Sequence, residues 1–374
     1  METGGYLMKQ KILMIGHTPP PPGGMATIQK TLIDSSLKDK YDLLLLDITR
    51  KKRRYKVADG VGITSFLYLI FHLIKLIYIL FKEKPVIIHI QSSTSAFLRD
   101  SLFIILGRLF GKKIICHLHG FYSNSHLAFK YAVLRCYSQF IMSCVDILIL
   151  LSVNFIPEFN RVFPKTKKIV IPNFTSKNIL ASEIQSLKIN SKETTDILFV
   201  GRLSHEKGIY DLIKAVSLIK NKKSTRLLLS GLGDTKEDEE RIMFQINKYG
   251  LEDIVMLLGY IDGQEKAELY KRSDIFVLPS HSEIFPVVIL EAMASALPVI
   301  GTPVGAVTEI IENSINGFIV SPNDPESLAE KIDYLIDNPD ERIKMGQNNL
   351  KKFEIEYQIE PNVKRISDIY QILL

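Results

Sequence analysis

Residues 282–294 read SEIFPVVILEAMA and follow an apolar, β-rich run at 274–278. The run predicts a strand, and Pro286 suits the first turn of a helix, where a missing N–H costs no hydrogen bond. In open α/β sheets, ligands bind at the carboxyl ends of the strands, and a helix that starts there directs unpaired N–H groups towards them. The stretch therefore predicts a strand, a binding loop and a helix within a parallel sheet.

Two carboxylates, Glu283 and Glu291, bracket the start of this helix. Glu283 lies in the loop, within reach of a neutral part of a ligand, and Glu291 can accept hydrogen bonds from hydroxyl groups. Between them, Val287 and Val288 offer backbone N–H groups to an anion. This order is a recognition pattern for a sugar nucleotide; the alternative is a capped amphipathic helix with two solvated acids.

The block resembles the Glu-x7-Glu signature of retaining GT-B glycosyltransferases of family 4, the group 1 glycosyltransferases. In that family the first Glu contacts the transferred sugar, the second holds the nucleotide ribose, and the intervening amides contact the diphosphate. The resemblance implies these roles for Glu283, for Glu291 and for the donor-binding segment Phe285, Pro286, Val287 and Val288. Ile284 and Pro286 replace glycines common in the family, so the identity of the sugar does not follow.

A second motif, GRLSHEKG at residues 201–208, lies between a predicted strand and a predicted helix. Arg202 offers a planar fork and Lys207 a flexible ammonium, which can share the oxygens of a diphosphate, although isolated cations near a loop are usually solvated. The motif resembles the family's Gly-Arg-x4-Lys-Gly element, in which both cations stabilise the leaving diphosphate. The chain contains no Asp-x-Asp, so these cations and helix amides are expected to replace a metal, and no cofactor is predicted.

In the N-terminal half, Gly23 and Gly24 follow four prolines and open a predicted helix. They let a substrate phosphate approach backbone N–H groups and resemble the family's Gly-Gly loop, although the prolines could simply fix a surface loop. His119 ends a predicted strand and matches the family's His-Gly pattern, which implies a catalytic position near the transferred sugar. His117 and His89 are expected to be buried histidines whose hydrogen bonds are satisfied.

Tyr260 follows another predicted strand, at 254–258, and falls where relatives place an aromatic side chain near the base. Simple packing is the alternative. The predicted site thus comprises catalytic and donor-binding residues from both halves of the chain.

Length and composition indicate a globular protein of two domains, since 374 residues exceed the usual size of one core. Lys and Arg outnumber Asp and Glu by 24 to 10 over residues 1–175, whereas the acids lead by 31 to 23 over 176–374. The basic half should meet an anionic partner. Three cysteines without metal-site spacing and an N-terminus without a signal peptide predict a cytoplasmic protein.

Apolar β-rich runs alternate with helical patterns in each half, which predicts two α/β domains with parallel sheets. The predicted strands lie at 11–16, 42–47, 86–90, 113–118, 146–151, 168–171, 196–200, 226–230, 254–258, 274–278, 298–301 and 317–320. With the resemblance, the predicted fold is GT-B: two tandem Rossmann-like domains facing a central cleft. Residues 1–175 are assigned to acceptor binding and 176–356 to nucleotide-sugar binding, with 357–374 a helix crossing back to the N-terminal domain.

Residues 61–81 are almost wholly apolar and follow the basic run KKRR at 51–54. A transmembrane helix needs about 20 apolar residues, but strands on both sides of this segment must share one sheet, which a single crossing forbids. A polar stripe predicts a crossover helix buried on the sheet; it consists of Thr64, Tyr68, His72, Lys75 and Lys82. Because the apolar arc is wider than a sheet face requires, we also expect peripheral contact with an anionic membrane, on the inner face of the cell membrane.

Together these features predict a retaining, metal-independent glycosyltransferase that uses a nucleotide-diphosphate sugar. The expected acceptor is a polysaccharide or lipid-linked oligosaccharide precursor, and no nucleic-acid partner is expected. Two alternatives remain: a GT-B sugar-nucleotide epimerase, and a non-catalytic nucleotide-sugar-binding partner of an assembly complex.

Overall fold

The computed structural model describes residues 9–19, 23–49, 63–93, 96–120, 132–176, 194–220 and 222–374. These residues form two compact units. The first contains the described residues up to Pro172 together with Ile359–Leu374, and the second contains Asn173–Gln358. From the sequence, the pattern of strands and helices is interrupted at 173–194, which predicts that the two domains join there; residues 177–193 of this segment, and the basic run at 51–54, lie outside the described residues.

The first unit is built on a parallel sheet with the order β2-β1-β3-β4-β5-β6. Its strands are β1 (Lys11–Gly16), β2 (Asp42–Asp47), β3 (Ile87–Ser93), β4 (Lys113–Gly120), β5 (Ile147–Leu150) and β6 (Lys168–Val170). Its helices are α1 (Gly24–Asp34), α2 (Leu37–Lys40), α3 (Ile63–Lys82), α4 (Phe97–Leu109), α5 (Ala132–Ser143), α6 (Ile156–Val162) and, after the second unit, α14 (Ile359–Leu373).

The second unit repeats the plan with the order β12-β11-β10-β7-β8-β9. Its strands are β7 (Thr195–Val200), β8 (Thr225–Ser230), β9 (Val255–Gly259), β10 (Ile275–Leu278), β11 (Val299–Gly301) and β12 (Gly317–Ile319). Its helices are α7 (Ile209–Leu218), α8 (Lys236–Lys248), α9 (Gly263–Arg272), α10 (Val287–Ala294), α11 (Val307–Ile310), α12 (Pro325–Asp337) and α13 (Pro339–Glu356). The prediction of two parallel α/β sheets is confirmed.

Each sheet reverses its strand order once. In the first sheet the chain passes from β1 outward to β2 and then returns to the other side of β1 as β3; in the second, β7 has β8 on one side and β10 on the other. Ligands of open α/β sheets bind at such switch points, outside the carboxyl ends of the strands. The ends of β1 and β3, and those of β7 and β10, are therefore the expected ligand positions.

The two faces of the first sheet differ in polarity. On one face, apolar side chains pack with α3, α4 and α5; they include Ile88, Ile90, Ile114 and Cys116. Because side chains alternate along a strand, the opposite face carries the intervening residues of β3 and β4, among them His89, Gln91, His117 and His119. Four polar side chains thus lie side by side on this face of the sheet.

The orientation of helix α3 on the sheet differs from the prediction. His72 is buried, with Nε2 3.2 Å from the carbonyl of Asp47, and the Tyr68 hydroxyl donates to the carbonyl of Thr49 at 2.7 Å. Part of the polar stripe therefore faces the sheet and supplies partners to the chain after β2. The exposed side chains include the polar Thr64, Lys75 and Lys82. The others form a broad apolar surface made of Phe66, Leu67, Ile70, Phe71, Ile74, Tyr78 and Phe81.

One described helix, over Thr64–Lys82, is long and apolar enough to cross a membrane, and only 17% of its apolar stretch is buried. The strands that it joins, β2 and β3, both pair with β1 in one sheet. This pairing is incompatible with a membrane crossing between them. The expectation that α3 is buried on the sheet is wrong for its exposed apolar face.

Gly208 marks the tightest approach between the loops that follow β7 and β10. Its φ is +70°, and a Cβ there would lie 2.0 Å from the carbonyl oxygen of Pro279. A residue with a Cβ loses roughly 1–2 kcal/mol in the left-handed region. We expect Gly208→Ala to lower the free energy of unfolding by more than this amount, measured by urea denaturation. The matched control is Gly250→Ala, at φ +61° in open space, which should show the conformational cost alone. Equal losses in the two variants would contradict the close approach.

Candidate active site

The loops after β7 and β10 bring two predicted catalytic residues into contact. These strands pair in parallel, with Ile275 opposite Ile197. The Lys207 ammonium donates to Glu283 Oε1 at 2.6 Å, although the two residues lie 76 positions apart. Their side chains are only 19% and 10% exposed, and Ser280 donates to the same carboxylate oxygen at 2.9 Å. The two motifs therefore form one cluster.

Arg202 lies at the same edge and is held by two acids. Its guanidinium donates to Asp234 Oδ2 at 2.6 Å and to Glu206 Oε2 at 3.4 Å. Asp234 was not predicted as a site residue, although it follows the glycine-rich turn after β8. With 44% of its side chain exposed, Arg202 can still reach a ligand.

The chain after β11 packs against the backbone of the loop that carries Glu283. Gly305 has a φ of +58°, and a Cβ there would lie 2.3 Å from the carbonyl oxygen of Glu283. The Ala306 N–H donates to the carbonyl of Ile284 at 2.9 Å, and the Thr302 hydroxyl donates to the carbonyl of Ser280. These contacts fix the backbone on both sides of the carboxylate.

Helix α10 begins one residue later than predicted, with Pro286 as its N-cap. The amides of Val287 and Val288 lie in its first turn, where N–H groups have no partner within the helix. Phe285 is buried, its ring is 6.0 Å from that of Tyr357, and its carbonyl accepts from Asn173. Its aromatic side chain anchors the loop within the second unit and is not available to a ligand.

Both oxygens of Glu291 are engaged by residues that the sequence did not reveal. Lys266 donates to Oε1 at 2.7 Å and the Tyr270 hydroxyl donates to Oε2 at 2.9 Å. These partners lie one turn apart on α9. Burial, reinforced by the charge of Glu291, raises the pKa of Tyr270 well above its usual value, so its hydroxyl stays protonated. The carboxylate is thus held in one orientation, with its remaining lone pairs open to hydroxyl groups.

Tyr260 lies just beyond β9 and is 48% exposed. Its hydroxyl donates to Asp262 Oδ2 at 3.0 Å. Partial burial, followed by this hydrogen bond, raises the pKa of Tyr260 to about 12. A half-exposed, neutral ring is therefore presented at the carboxyl edge of the second sheet.

The remaining predicted residues, Gly23, Gly24 and His119, belong to the first unit. Gly23 caps α1 and Gly24 begins it, and both are exposed. His119 lies near the carboxyl end of β4, where it is 8% exposed and its ring centroid is 4.2 Å from that of His117. Among the described residues, no group of three or more His, Cys, Asp or Glu could hold a metal ion.

His119 ends a row of imidazoles that reaches α14. His117 Nδ1 lies 3.4 Å from His89 Nε2, and His89 Nδ1 lies 2.7 Å from the Tyr370 hydroxyl. Burial, together with the neighbouring His119, lowers the pKa of His89 to about 3 and that of His117 well below its usual value. His89 is satisfied as predicted. The same expectation is wrong for His117, whose Nε2 has no hydrogen-bond partner among the described residues.

Comparison with known proteins gives the fold a name. The solved structure of sucrose-phosphate synthase from Thermosynechococcus elongatus matches with a TM-score of 0.79 and 20% identity, over 98% of this chain and 99% of that chain. The Anabaena protein HepE in complex with UDP matches with a TM-score of 0.74 and 19% identity, over 97% and 100%. The fold is GT-B. At these identities the likeness concerns the fold alone.

Residues 182–352, within the second unit, match the family described as glycosyl transferases group 1. An uncharacterized glycosyltransferase of Methanocaldococcus jannaschii is 35% identical over 48% of this chain and 45% of its own length. The capsular polysaccharide biosynthesis glycosyltransferase CapM of Staphylococcus aureus is 27% identical over 81% and 80%. The chain thus spans about half the length of the Methanocaldococcus jannaschii relative and about four fifths of CapM.

The lowered pKa of His89 makes stability depend on pH. An unfolded histidine has a pKa of about 6.5, so below that pH the unfolded chain binds a proton that the folded chain refuses until about pH 3. Stability from this group is therefore complete above pH 6.5 and is lost as the pH falls towards 3. We expect the free energy of unfolding to drop more between pH 7 and pH 5 in the unmodified protein than in His89→Gln, measured by urea titration. An identical drop in both would contradict the assignment.

Proposed function

We propose that this chain is a retaining, metal-independent glycosyltransferase of group 1 that uses a nucleotide-diphosphate sugar. The observation that carries the proposal is the contact between Lys207 and Glu283 at the switch point of the second sheet, with Arg202 at the same edge. The cations suit a diphosphate, and Glu283 suits the hydroxyl groups of a sugar. The match of residues 182–352 to a glycosyltransferase family supports this proposal.

In this proposal the cations stabilise the charge that develops on the leaving diphosphate. The bond from the sugar's anomeric carbon to the diphosphate oxygen breaks, and the acceptor oxygen forms a new bond on the same face. The acceptor's hydroxyl proton passes to the departing phosphate oxygen. Fixed donors aimed at developing charge lower the barrier because they need little reorganisation. Lys207 would exchange its bond to Glu283 for phosphate oxygens when the donor binds.

Glu291 would hold the ribose through the lone pairs that Lys266 and Tyr270 leave open. The amides of Val287 and Val288 would contact the diphosphate, and Tyr260 the base. In the first unit, Gly23, Gly24 and His119 would serve the acceptor side and the transferred sugar. A polysaccharide or lipid-linked oligosaccharide precursor is the acceptor that the similarity to CapM favours.

Removal of either cation should slow sugar transfer strongly. We expect Arg202→Ala and Lys207→Ala to lower turnover on the order of 100-fold, since each variant loses a charge-assisted donor to the transition state. The matched control is Lys214→Ala, which breaks an exposed pair with Glu326 in the same unit and should retain wild-type turnover. Turnover can be followed as nucleoside diphosphate release from a panel of nucleotide sugars. Wild-type rates in the Arg202 and Lys207 variants would overturn the assignment.

Binding and transfer measurements together distinguish the roles of Glu283 and Glu291. Glu291→Gln should weaken binding of the free nucleoside diphosphate, measured by calorimetry, whereas Glu283→Gln should spare that binding and reduce transfer. Binding with no transfer to any acceptor would favour a non-catalytic partner, and epimerised donor would favour an epimerase.

We further propose that the first unit binds the cytoplasmic face of an anionic membrane through α3. Phe66 and Phe81, near the two ends of the helix, are 63% and 66% exposed, and Ile74 between them is 62% exposed. The exposed Lys75 and Lys82 share the helix. Basic residues at the border of an apolar helix face suit anionic lipid headgroups, at roughly 1 kcal/mol for each residue.

Vesicle binding tests the membrane proposal. Phe71→Ser combined with Ile74→Ser should weaken binding to phosphatidylcholine vesicles containing phosphatidylglycerol by at least roughly tenfold, since a buried Phe or Ile side chain contributes about 1.5–3 kcal/mol. The matched control replaces Met243 and Phe244 by serine, two exposed apolar residues of the second unit. Co-sedimentation with and without phosphatidylglycerol, at low and high salt, provides the measurement. Equal binding by all variants would contradict a role for α3.

A further inference from the structure

Two buried glutamines at the switch point of the first sheet take no part in the proposed donor site. Gln29 on α1 is fully buried, and Gln91 on β3 is 1% exposed. Neither the amide oxygen nor the amide nitrogen of either residue has a hydrogen-bond partner among the described residues. In the second unit, Asn173 and Asn349 each leave only the oxygen unbonded, because their Nδ2 atoms donate to carbonyls.

The two glutamine side chains flank one glycine at the end of β1. A Cβ built on Gly16, the last residue of β1, would lie 3.0 Å from Gln29 Oε1 and 3.3 Å from Gln91 Cβ. Gln91 is in register with His117 on β4, so the two side chains are neighbours on one face. His117 Nε2 also lacks a partner among the residues described. Gln29 and Gln91 therefore lie beside the end of β1, and His117 lies one strand further along the same face.

This cluster lowers the stability of the folded state unless another molecule forms hydrogen bonds with it. A buried polar group without a hydrogen bond destabilises the folded state, and an apolar side chain at the same place would not. On the other face of these strands, the adjacent positions are occupied by the apolar residues Ile90 and Cys116. The polar residues therefore indicate a ligand that supplies both donors and acceptors.

The chemistry of the cluster selects the class of ligand. Gln29 and Gln91 present neutral amides, which donate through Nε2 and accept through Oε1. The row that adjoins them contributes imidazoles and the Tyr370 hydroxyl, with no carboxylate and no cation. A phosphate would find no countercharge in this row, whereas a sugar hydroxyl both donates and accepts.

We propose that Gln29, Gln91 and His117 form a subsite for the hydroxyl groups of an uncharged acceptor sugar, beside His119. The proposal rests on the proposed function, since it specifies what the first unit accepts. Access would come from the start of α1, where Gly23 and Gly24 are exposed and lie about one and a half turns from Gln29.

Saturation-transfer NMR on the full chain, without nucleotide, tests the subsite directly. The probes are methyl glycosides of glucose, galactose, mannose and N-acetylglucosamine. In the unmodified protein, we expect a saturation-transfer signal from at least one glycoside. In Gln29→Leu and Gln91→Leu, the affinity for that glycoside should fall roughly tenfold. Gln139→Leu is the matched control, because the Gln139 amide in the same unit already donates to the carbonyl of Val162 at 3.0 Å. It should keep the signal.

Thermal unfolding provides a second measurement, in which the variants and the control should change the melting temperature differently. Leucine at position 29 or 91 removes an amide without a partner, so the melting temperature should stay the same or rise, whereas Gln139→Leu should lower it. Equal glycoside signals in all variants, or no signal from any probe in the unmodified protein, would overturn the subsite. Stabilisation by nucleoside diphosphates, recorded on the same samples, reports the second unit separately. If glycosides bind but no nucleoside diphosphate stabilises the protein, the proposed donor is rejected and the proposed subsite is retained.

Discussion

The parallel pairing of β7 with β10 is the constraint on which the candidate site depends. Strands that are far apart in sequence become neighbours in the sheet, and the loops at their carboxyl ends must then share one small region. Lys207 and Glu283 meet there. Gly208 and Gly305 allow the surrounding backbone to approach more closely than a side chain would permit. The charged cluster is therefore a product of topology as much as of residue type.

The first sheet repeats this topology with a different chemistry. Its switch point lies between β1 and β3, where the buried polar groups are two amides in place of ions, and imidazoles follow on the same face. Arg202 and Lys207 suit an anion, whereas Gln29 and Gln91 suit hydroxyl groups. The same arrangement of strands thus presents different recognition chemistry in the two units.

The sequence predicted those features that have a local signal. A strand, a loop rich in glycine or acids, and a helix follow one another around Lys207 and Glu283, so their placement followed from short segments. Lys266 could not be found in this way, because its role depends on the packing of α9 against α10. For α3, periodicity revealed the polar stripe but not its direction. His72 turned inward because the carbonyl of Asp47 lies within its reach.

The first unit is discontinuous, and this has a consequence for how the protein is made. The Tyr370 hydroxyl that meets His89 belongs to α14, and so does Arg365, which donates to the carbonyl of Val170. A ribosome must translate the whole second unit before these partners exist. At about 5–20 residues per second, this takes roughly 10–40 s. Throughout that interval the polar face of the first sheet lacks α14, so the unit begun first is the last to be completed.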